Sequence, residues 1–361
     1  MIEEIKEINE EKDINELKKE KKGKKVHKKK KKSVIILVIL DILIAIAFFL
    51  TYGPISYFRD LLVTTSMTTM THKYLARTLY TEDMINEVLK KNTIKDAGDQ
   101  TNTSDIIIGD IKQTDTYDSI YEEQILKRDE DQDYKIVPLS GSGYKGYMAV
   151  IYDPAKVSLA VAPKLGTTGI FLKNLAKQNN AKVAINASGF LDPNEYGNGG
   201  SATGRIIKDG KLIWGGEGSS SGGLSGFNKN HVLVLTKDST EKAIADGMMD
   251  AVEFGPFLVV NGKFAEIKGN GGWGIAPRTI LAQRKDGIVL FIIIDGRQPG
   301  YSLGVDMTET IKILKRYNAH NAVNMDGGAS SSLVINGETY SKPCGYSATG
   351  ERMVPNGWIM K

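Results

Sequence analysis

Hydrophobic positions along the chain fall into three regimes. From Ser33 to Leu50 the sequence is almost unbroken apolar, SVIILVILDILIAIAFFL, followed by TYGPISYF. With its flank, such a run spans the roughly 30 Å hydrocarbon core of a bilayer, so residues 33–55 are expected to form one transmembrane helix. Between 56 and 133, helical stretches such as YLARTLYTEDMINEVLKK give way to polar, acidic sequence (DAGDQTNTSD, YEEQILKRDEDQD). This part reads as a stalk and linker with no chemistry assigned. From about Tyr134 onward, short β-rich runs alternate with turns. Asp209-Gly210, Asn261-Gly262, Asp286-Gly287 and Asn336-Gly337 each sit between apolar runs, and such dipeptides supply the positive φ angles of tight hairpins. Two segments carry helical periodicity. Thr168–Gln178 puts Ile170, Leu172, Leu175 and Ala176 near one face, and Met307–Tyr317 repeats apolar residues at 307, 311, 314 and 317. Few helices packed on a mostly antiparallel or mixed sheet predict an α+β domain over 134–361, preceded by the one transmembrane helix.

Charge changes the picture at the N-terminal end. Residues 1–32 hold 13 lysines against eight acids, whereas the whole chain sums to only +4. The basic balance therefore belongs to one charged tail, partly helical near Ile5 to Leu17, and no nucleic-acid partner is inferred from it. Lys28 to Lys32 directly precede the apolar run, and the positive-inside rule keeps such a cluster in the cytoplasm. Residues 134–361 are then extracytoplasmic, and the protein is a single-pass protein of the cell membrane. Ala45-Ile46-Ala47 imitates a signal-peptidase site, but Phe48-Phe49-Leu50 still follow and a 32-residue leader is long. An uncleaved anchor is the reading adopted. Asp41 costs ~2.5–3.5 kcal/mol at mid-membrane; either a strongly apolar helix tolerates it, or it meets a partner helix. A single cysteine, Cys344, excludes an intrachain disulfide. Together with four scattered histidines it argues against a zinc site, which wants clustered ligands.

Three apolar strands end in a polar residue followed by a glycine-containing turn: AKVAINA at Asn186, IVLFIIID at Asp295 and NAVNMD at Asp326. If they run side by side in one direction, their ends line a single cleft. Gly141-Ser-Gly143-Tyr-Lys-Gly146 matches a dinucleotide fingerprint, but YMAVIYD after it reads as another strand rather than a helix. It is read as a hairpin turn. The Gly197–Gly226 stretch, with GGEGSSSGG at its centre, is either a mobile flap or plain loop, and Trp214 and Trp273 either stack on a sugar or belong to the core.

NASGF (186–190), FGPFLVVNG (254–262), APRT (276–279), DGRQPG (295–300), NMDGGASSSLVING (324–337) and GERMVPNGW (350–358), in this order, resemble the phosphodiester glycosidase family over about residues 135–361. The resemblance implies a hydrolase acting on a sugar phosphodiester, and bacterial members are often linked to exopolysaccharide or envelope metabolism. Ala329 departs from the third glycine many members carry after Asp-Gly-Gly. Ala187-Ser188 departs from a usual double glycine. Both keep small side chains, so the backbone is expected to be retained.

The chemistry argues in the same direction. Cleavage at an anomeric carbon passes through an oxocarbenium-like state that wants a carboxylate beside it. A departing phosphate needs charge neutralisation more than a strong acid, and arginine supplies paired hydrogen bonds. Asp326 is therefore expected at the anomeric centre with Asp295 assisting. Arg278 and Arg297 are expected on phosphate and Asn186 on the sugar, while Gly327, Gly328, Ser330 and Ser331 could cradle phosphate oxygens. Glu309 is set aside, because Asp306-x-x-Glu309 makes a helix capping box. No cofactor is implied; a divalent cation could bridge phosphate and Asp326, but no complete ligand set is visible. The expected partners are a carbohydrate or phosphoglycan substrate and the membrane. Two competing readings remain open: a non-catalytic glycan-binding or assembly protein of envelope polysaccharide biosynthesis, and an envelope phosphotransferase that attacks phosphorus rather than carbon.

Overall fold

The computed structural model describes residues 34–69, 72–109, 116–191, 197–216 and 222–361, with isolated positions 18, 19, 22 and 25. Nearly all of the charged tail lies outside the described residues, as do 217–221 at the centre of the glycine–serine stretch. The chain separates into two compact units, Met1–Arg59 and Asp60–Lys361. In the first, Val34–Tyr52 is one helix, long and apolar enough to cross a membrane. At 1.5 Å per residue its 19 residues reach about 28 Å. Its large apolar side chains are exposed along its length, a surface that hydrocarbon accommodates and water does not.

The second unit is built on a seven-stranded sheet in the spatial order Lys263–Phe264, Phe257–Val260, Ala319–Asn324, Arg278–Arg284, Val289–Ile294, Tyr144–Ile151, Tyr134–Gly141. Successive side chains of a strand point to opposite faces, and here both faces are buried. Leu290, Ile292 and Ile294 pack on one side with the Met307–Arg316 helix through Met307, Ile311 and Leu314. Val289, Phe291 and Ile293 pack on the other side with Val183, Ile185, Leu159 and Trp358. Those four lie in a five-stranded sheet ordered Glu338–Thr339, Leu333–Ile335, Val183–Asn186, Asn356–Met360, Val157–Val161. Another five-stranded sheet adds Ile206, Phe227, Leu233, Leu235 and Val252 to the same core. All strand pairs among the described residues are antiparallel. The α+β class expected from the pattern is the class observed.

The dipeptide turns close hairpins. Asp209-Gly210, Asn261-Gly262 and Asn336-Gly337 have φ of 50°/71°, 52°/74° and 50°/77°, the paired left-handed geometry that Asn/Asp-Gly accommodates. Asp286-Gly287 closes its hairpin with only the glycine at positive φ, where Arg284 N–H donates to Ile288 O (2.9 Å). Gly141–Gly146 joins Tyr134–Gly141 to Tyr144–Ile151 antiparallel, a hairpin and no dinucleotide loop. The Thr168–Gln178 helix is shorter than its periodicity suggests: Ile170–Phe171 is strand and the helix runs Leu172–Gln178.

Two expectations are corrected. The described parts of the glycine–serine stretch contain the strands Ile206–Lys208, Lys211–Trp214 and Gly223–Asn228 of one sheet, so those segments are neither flap nor loop, whereas 197–205 is irregular and brings Thr203 to the cleft. Buried Gly223 and Gly226 press so closely on Thr236 O and Asp250 O that a Cβ would collide with them. The stalk and linker expected at 56–133 does not stand apart either, because everything from Asp60 on belongs to the second unit. Val63, Ala76, Tyr80, Ile85 and Val88 form a small core of their own. Thr93–Lys95 pairs with Glu266–Lys268, Thr101 N–H donates to Leu235 O (2.9 Å), and Ile125 is buried in the main core.

Candidate active site

The register of the central sheet gathers the candidate residues at one end. Arg278–Arg284 lies between Val289–Ile294 and Ala319–Asn324 and runs against both. The two outer strands therefore end where the middle one begins: Arg278 pairs with Ile294, and Ile280 with Asn324. The Val183–Asn186 strand belongs to the facing sheet. The three strand ends thus converge from two layers rather than side by side.

Asp326 is fixed through its backbone. Its N–H donates to Ala187 O (2.9 Å), while its own carbonyl accepts from Asn186 Nδ2 (2.7 Å). Asn186 is fully buried, and its Oδ1 accepts from Thr279 Oγ1 (2.8 Å) and Ser332 N (3.2 Å). The Thr279 hydroxyl also lies 3.2 Å from Ser331 Oγ. Asn186 and Ser331 are thus struts behind the loop and line no part of the cleft. At Ser188, in place of a glycine, the hydroxyl meets Asn356 Oδ1 (3.0 Å). Ala329 does not adopt positive φ, which is why alanine serves there.

In front of these struts opens a cleft of about 700 Å³. Asp326, Gly327, Gly328, Ala329 and Ser330 line it, together with Arg278, Arg297, Cys344, Tyr346, Arg352, Phe190, Thr203, Phe254 and Trp273. Among the described residues Asp326 is its one carboxylate. The Ser330 hydroxyl, on a residue only 4 % exposed, has no hydrogen bond among the described residues. The Gly328 N–H is already engaged by Pro277 O (2.9 Å), which removes it from the expected phosphate cradle. Gly328 has φ +62°, and a Cβ there would stand 3.1 Å from Arg297 Nη2. The guanidinium therefore lies against the glycine backbone.

The two arginines differ. Arg278 is buried, with Nε on Val305 O (3.2 Å) and Nη2 on Trp273 O (2.9 Å) and Gly274 O (2.6 Å). Burial, reinforced by the neighbouring Arg297 cation, pushes its pKa down to about 10, so it stays charged at neutral pH. Arg297 is exposed, and its side chain makes no hydrogen bond among the described residues. Its backbone holds φ 58°, a region costing ~1–3 kcal/mol outside glycine unless the surroundings impose it. Here Arg297 N–H donates to Leu303 O (3.1 Å) and Gln298 N–H to Ser302 O (2.9 Å). No carboxylate lies within ion-pair distance of either arginine among the described residues. Two like charges held together this way favour an anion between or beside them.

Asp295 does not share the cleft. Its Oδ2 accepts from Tyr301 Oη (2.9 Å) and its Oδ1 from Lys342 N (2.9 Å). It ties two loops beneath the site, and burial pushes its pKa up. Glu309 also stays outside: Asp306 caps its helix by accepting from Glu309 N (2.8 Å), while the Glu309 carboxylate turns to Arg316 (3.1 Å). Trp273 lines the cleft, whereas Trp214 donates to Ala202 O (2.9 Å) away from it. The sequence had not pointed to Cys344, Tyr346, Arg352 or Phe190, although the last two lie inside motifs quoted above. The Arg352 guanidinium stacks 4.7 Å over the Phe190 ring. Nor had it pointed to the wall formed by Thr65, Ser66, Thr68, Thr69, His72 and Leu75.

An antiparallel α+β frame with an acid–arginine cleft at its strand ends defines the class, and the chain belongs to the phosphodiester glycosidase family. The family model matches residues 179–361. The chain is similar to mouse N-acetylglucosamine-1-phosphodiester alpha-N-acetylglucosaminidase, 24% identical over 229 residues that make up 56% of this chain and 42% of the mouse protein. It is also similar to the SPbeta prophage-derived uncharacterized protein YomE of Bacillus subtilis, 27% identical over 202 residues, 52% of this chain and 29% of that one. The chain thus spans less than half the length of either relative. Among solved structures, the catalytic domain of the zebrafish N-acetylglucosamine-1-phosphodiester alpha-N-acetylglucosaminidase, auto-inhibited by its pro-peptide, shares the fold. Its TM-score is 0.54 at 24% identity, covering 65% of this chain and 85% of that one.

Proposed function

We propose that this protein hydrolyses a sugar 1-phosphodiester, with Asp326 beside the anomeric carbon and Arg297 and Arg278 on the phosphate. The observation that carries the reading is the pair of guanidiniums that, among the described residues, have no carboxylate partner, set beside the one carboxylate that those residues give the cleft. In the reaction the anomeric C–O bond breaks and its electron pair leaves with the phosphate oxygen, whose charge the arginines neutralise. Positive charge developing on the ring faces Asp326. A water oxygen then bonds to the anomeric carbon and gives its proton to solvent. Ser330 donates its hydroxyl to a phosphate oxygen. Asn186 and Asp295 act as positioning residues, the first through the Asp326 backbone and the second through the loops bearing Arg297 and Lys342. The substrate is a glycan of the cell envelope or an exopolysaccharide, and the Asp60–Lys361 unit faces outward from a single span with the lysine-rich tail inside. The hydropathy of Val34–Tyr52 and the lysines before it support that orientation.

The test uses the full chain in detergent with a panel of sugar 1-phosphodiesters, assayed for free reducing sugar, and compares it with Asp326→Asn. Release by wild type and at least about a hundredfold loss in a folded variant are expected, as for removal of an electrostatic catalytic group. In labelled water the new oxygen should appear in the sugar. Label appearing in phosphate instead would move the assignment to a phosphotransferase.

A further inference from the structure

The family-matching residues begin at 179, yet one wall of the cleft comes from the segment just after the apolar helix. Thr65, Ser66, Thr68 and Thr69, at the end of the Ser56–Met67 helix and in the turn beyond it, line the cleft beside Trp273, whose carbonyl also holds Arg278. The helix is docked there closely. A Cβ on Gly274, whose φ is +56°, would fall 2.4 Å from Thr65 Cα. Thr65 Oγ1 accepts from Ile275 N (3.2 Å), and Asn270 Nδ2 donates to Thr64 Oγ1 (2.9 Å). The same loop supplies the Trp273 and Gly274 carbonyls that hold Arg278.

The chemistry of this wall is neutral. Thr68 Oγ1 donates to Thr64 O (2.9 Å), and Thr69 Oγ1 donates to Ser66 O (2.8 Å) and accepts from His72 N (2.9 Å). A hydroxyl whose proton is directed to a carbonyl keeps a lone pair for an incoming donor. Thr68 is such an acceptor, and Ser66 lines the cleft with a hydroxyl that has no hydrogen bond among the described residues, so both suit the hydroxyls of a sugar ring. An indole beside them offers an apolar platform for the ring's C–H face. Asp326 and Arg297 face the anomeric centre and the phosphate, whereas the serine and threonine hydroxyls of this wall carry no charge.

We infer that the end of the Ser56–Met67 helix and its following turn, with Trp273, form the sugar-specificity wall of the cleft, Thr68 and Ser66 selecting among sugars by their hydroxyl configuration. The inference rests on the functional reading above for the identity of the ligand, and its test is separable from that reading. Binding of neutral methyl glycosides of the gluco, galacto and manno series to the full chain is measured by ligand-detected NMR, alongside binding of inorganic phosphate. Ser66→Ala and Thr68→Val should each weaken the preferred glycoside at least fivefold and flatten the preference among epimers, with phosphate affinity unchanged. Thr68→Ser should restore both. Arg297→Ala should do the reverse, weakening phosphate and sparing glycosides. Glycoside binding that is absent from wild type, or indifferent to the hydroxyls, overturns the wall, as does an equal change for every epimer. A chain that binds glycosides in this hydroxyl-dependent way but releases no sugar from any phosphodiester would sink the hydrolase reading and leave the wall standing.

Discussion

Replacing Asn186 with alanine tests the scaffold behind the site more sharply than any change within the cleft. The side chain is fully buried and makes three hydrogen bonds, to Asp326 O, Thr279 Oγ1 and Ser332 N. Thr279 keeps a second partner in Ser331 Oγ at 3.2 Å, so its hydroxyl is not stranded. The Asp326 carbonyl and the buried Ser332 N–H lose the bonds that Asn186 gave them. At ~1–3 kcal/mol for each stranded buried group, the loss comes to about 3 kcal/mol. A domain of 150–250 residues shifts by ~2–4 °C per kcal/mol, and the larger Asp60–Lys361 unit should shift at or below the low end. A fall of about 5 °C in Tm of the full chain is therefore expected, read by differential scanning fluorimetry. Because one of the lost bonds anchors the Asp326 backbone, sugar release should fall further than stability. A displacement near 1 Å costs about a hundredfold in rate, and kcat should carry that loss while the phosphate-dependent part of KM holds. A Tm change under 1 °C, or full kcat in the variant, would refute the strut.

Two further outcomes follow from the titrations. Burial raises the Cys344 thiol above its ordinary 9.0, and the thiolate is the reactive form. Alkylation of this sole cysteine should be slow at pH 7.5, climb about tenfold per pH unit up to pH 9, and block sugar release once complete; a plateau below pH 8.5, or full activity after labelling, would contradict its placement in the cleft. Asp295 has a folded pKa above its ordinary 3.8, so the fold favours its protonated form, and the resulting stability is present below pH 3.8 and lost as pH rises through the raised value. Measured by Tm between pH 3.5 and 7, wild type should lose ground against Asp295→Asn as pH rises, and parallel curves would argue against the burial.

Local chemistry was legible wherever it was encoded by neighbours in sequence. Asn261-Gly262 and Asn336-Gly337 announce their hairpins because few other dipeptides accept two successive positive φ values. The Asp306 cap and the Gly141–Gly146 hairpin were legible for the same reason. Asp326, Arg297 and Ser330 stood out as polar residues in glycine-containing motifs, and all three line the cleft. What could not be seen was tertiary. Asp295 resembles Asp326 in sequence, each ending an apolar strand before glycine, and only the arrival of Tyr301 and the Lys342 amide shows that its oxygens are taken. Asn186 has the same ambiguity, resolved by partners about 90 and 140 positions away. The threonine-rich wall gave one faint signal, a run of hydroxyls (TTSMTT) at the end of the Ser56–Met67 helix. In the sequence that run is indistinguishable from a solvated stalk.

The Asn356–Met360 strand lies between Val183–Asn186 and Val157–Val161, paired to both. A chain emerging from the ribosome makes the threonine wall, then Asn186, then Asp326, and only afterwards the strand that closes the sheet carrying Asn186. Neither neighbour can satisfy its inner row of backbone groups until that strand arrives, and pairings this distant in sequence form slowly. The cleft is thus a late product of synthesis. A nascent chain that already holds Asp326 and both arginines therefore lacks the strand that pairs with the one bearing Asn186 until Asn356–Met360 has been made.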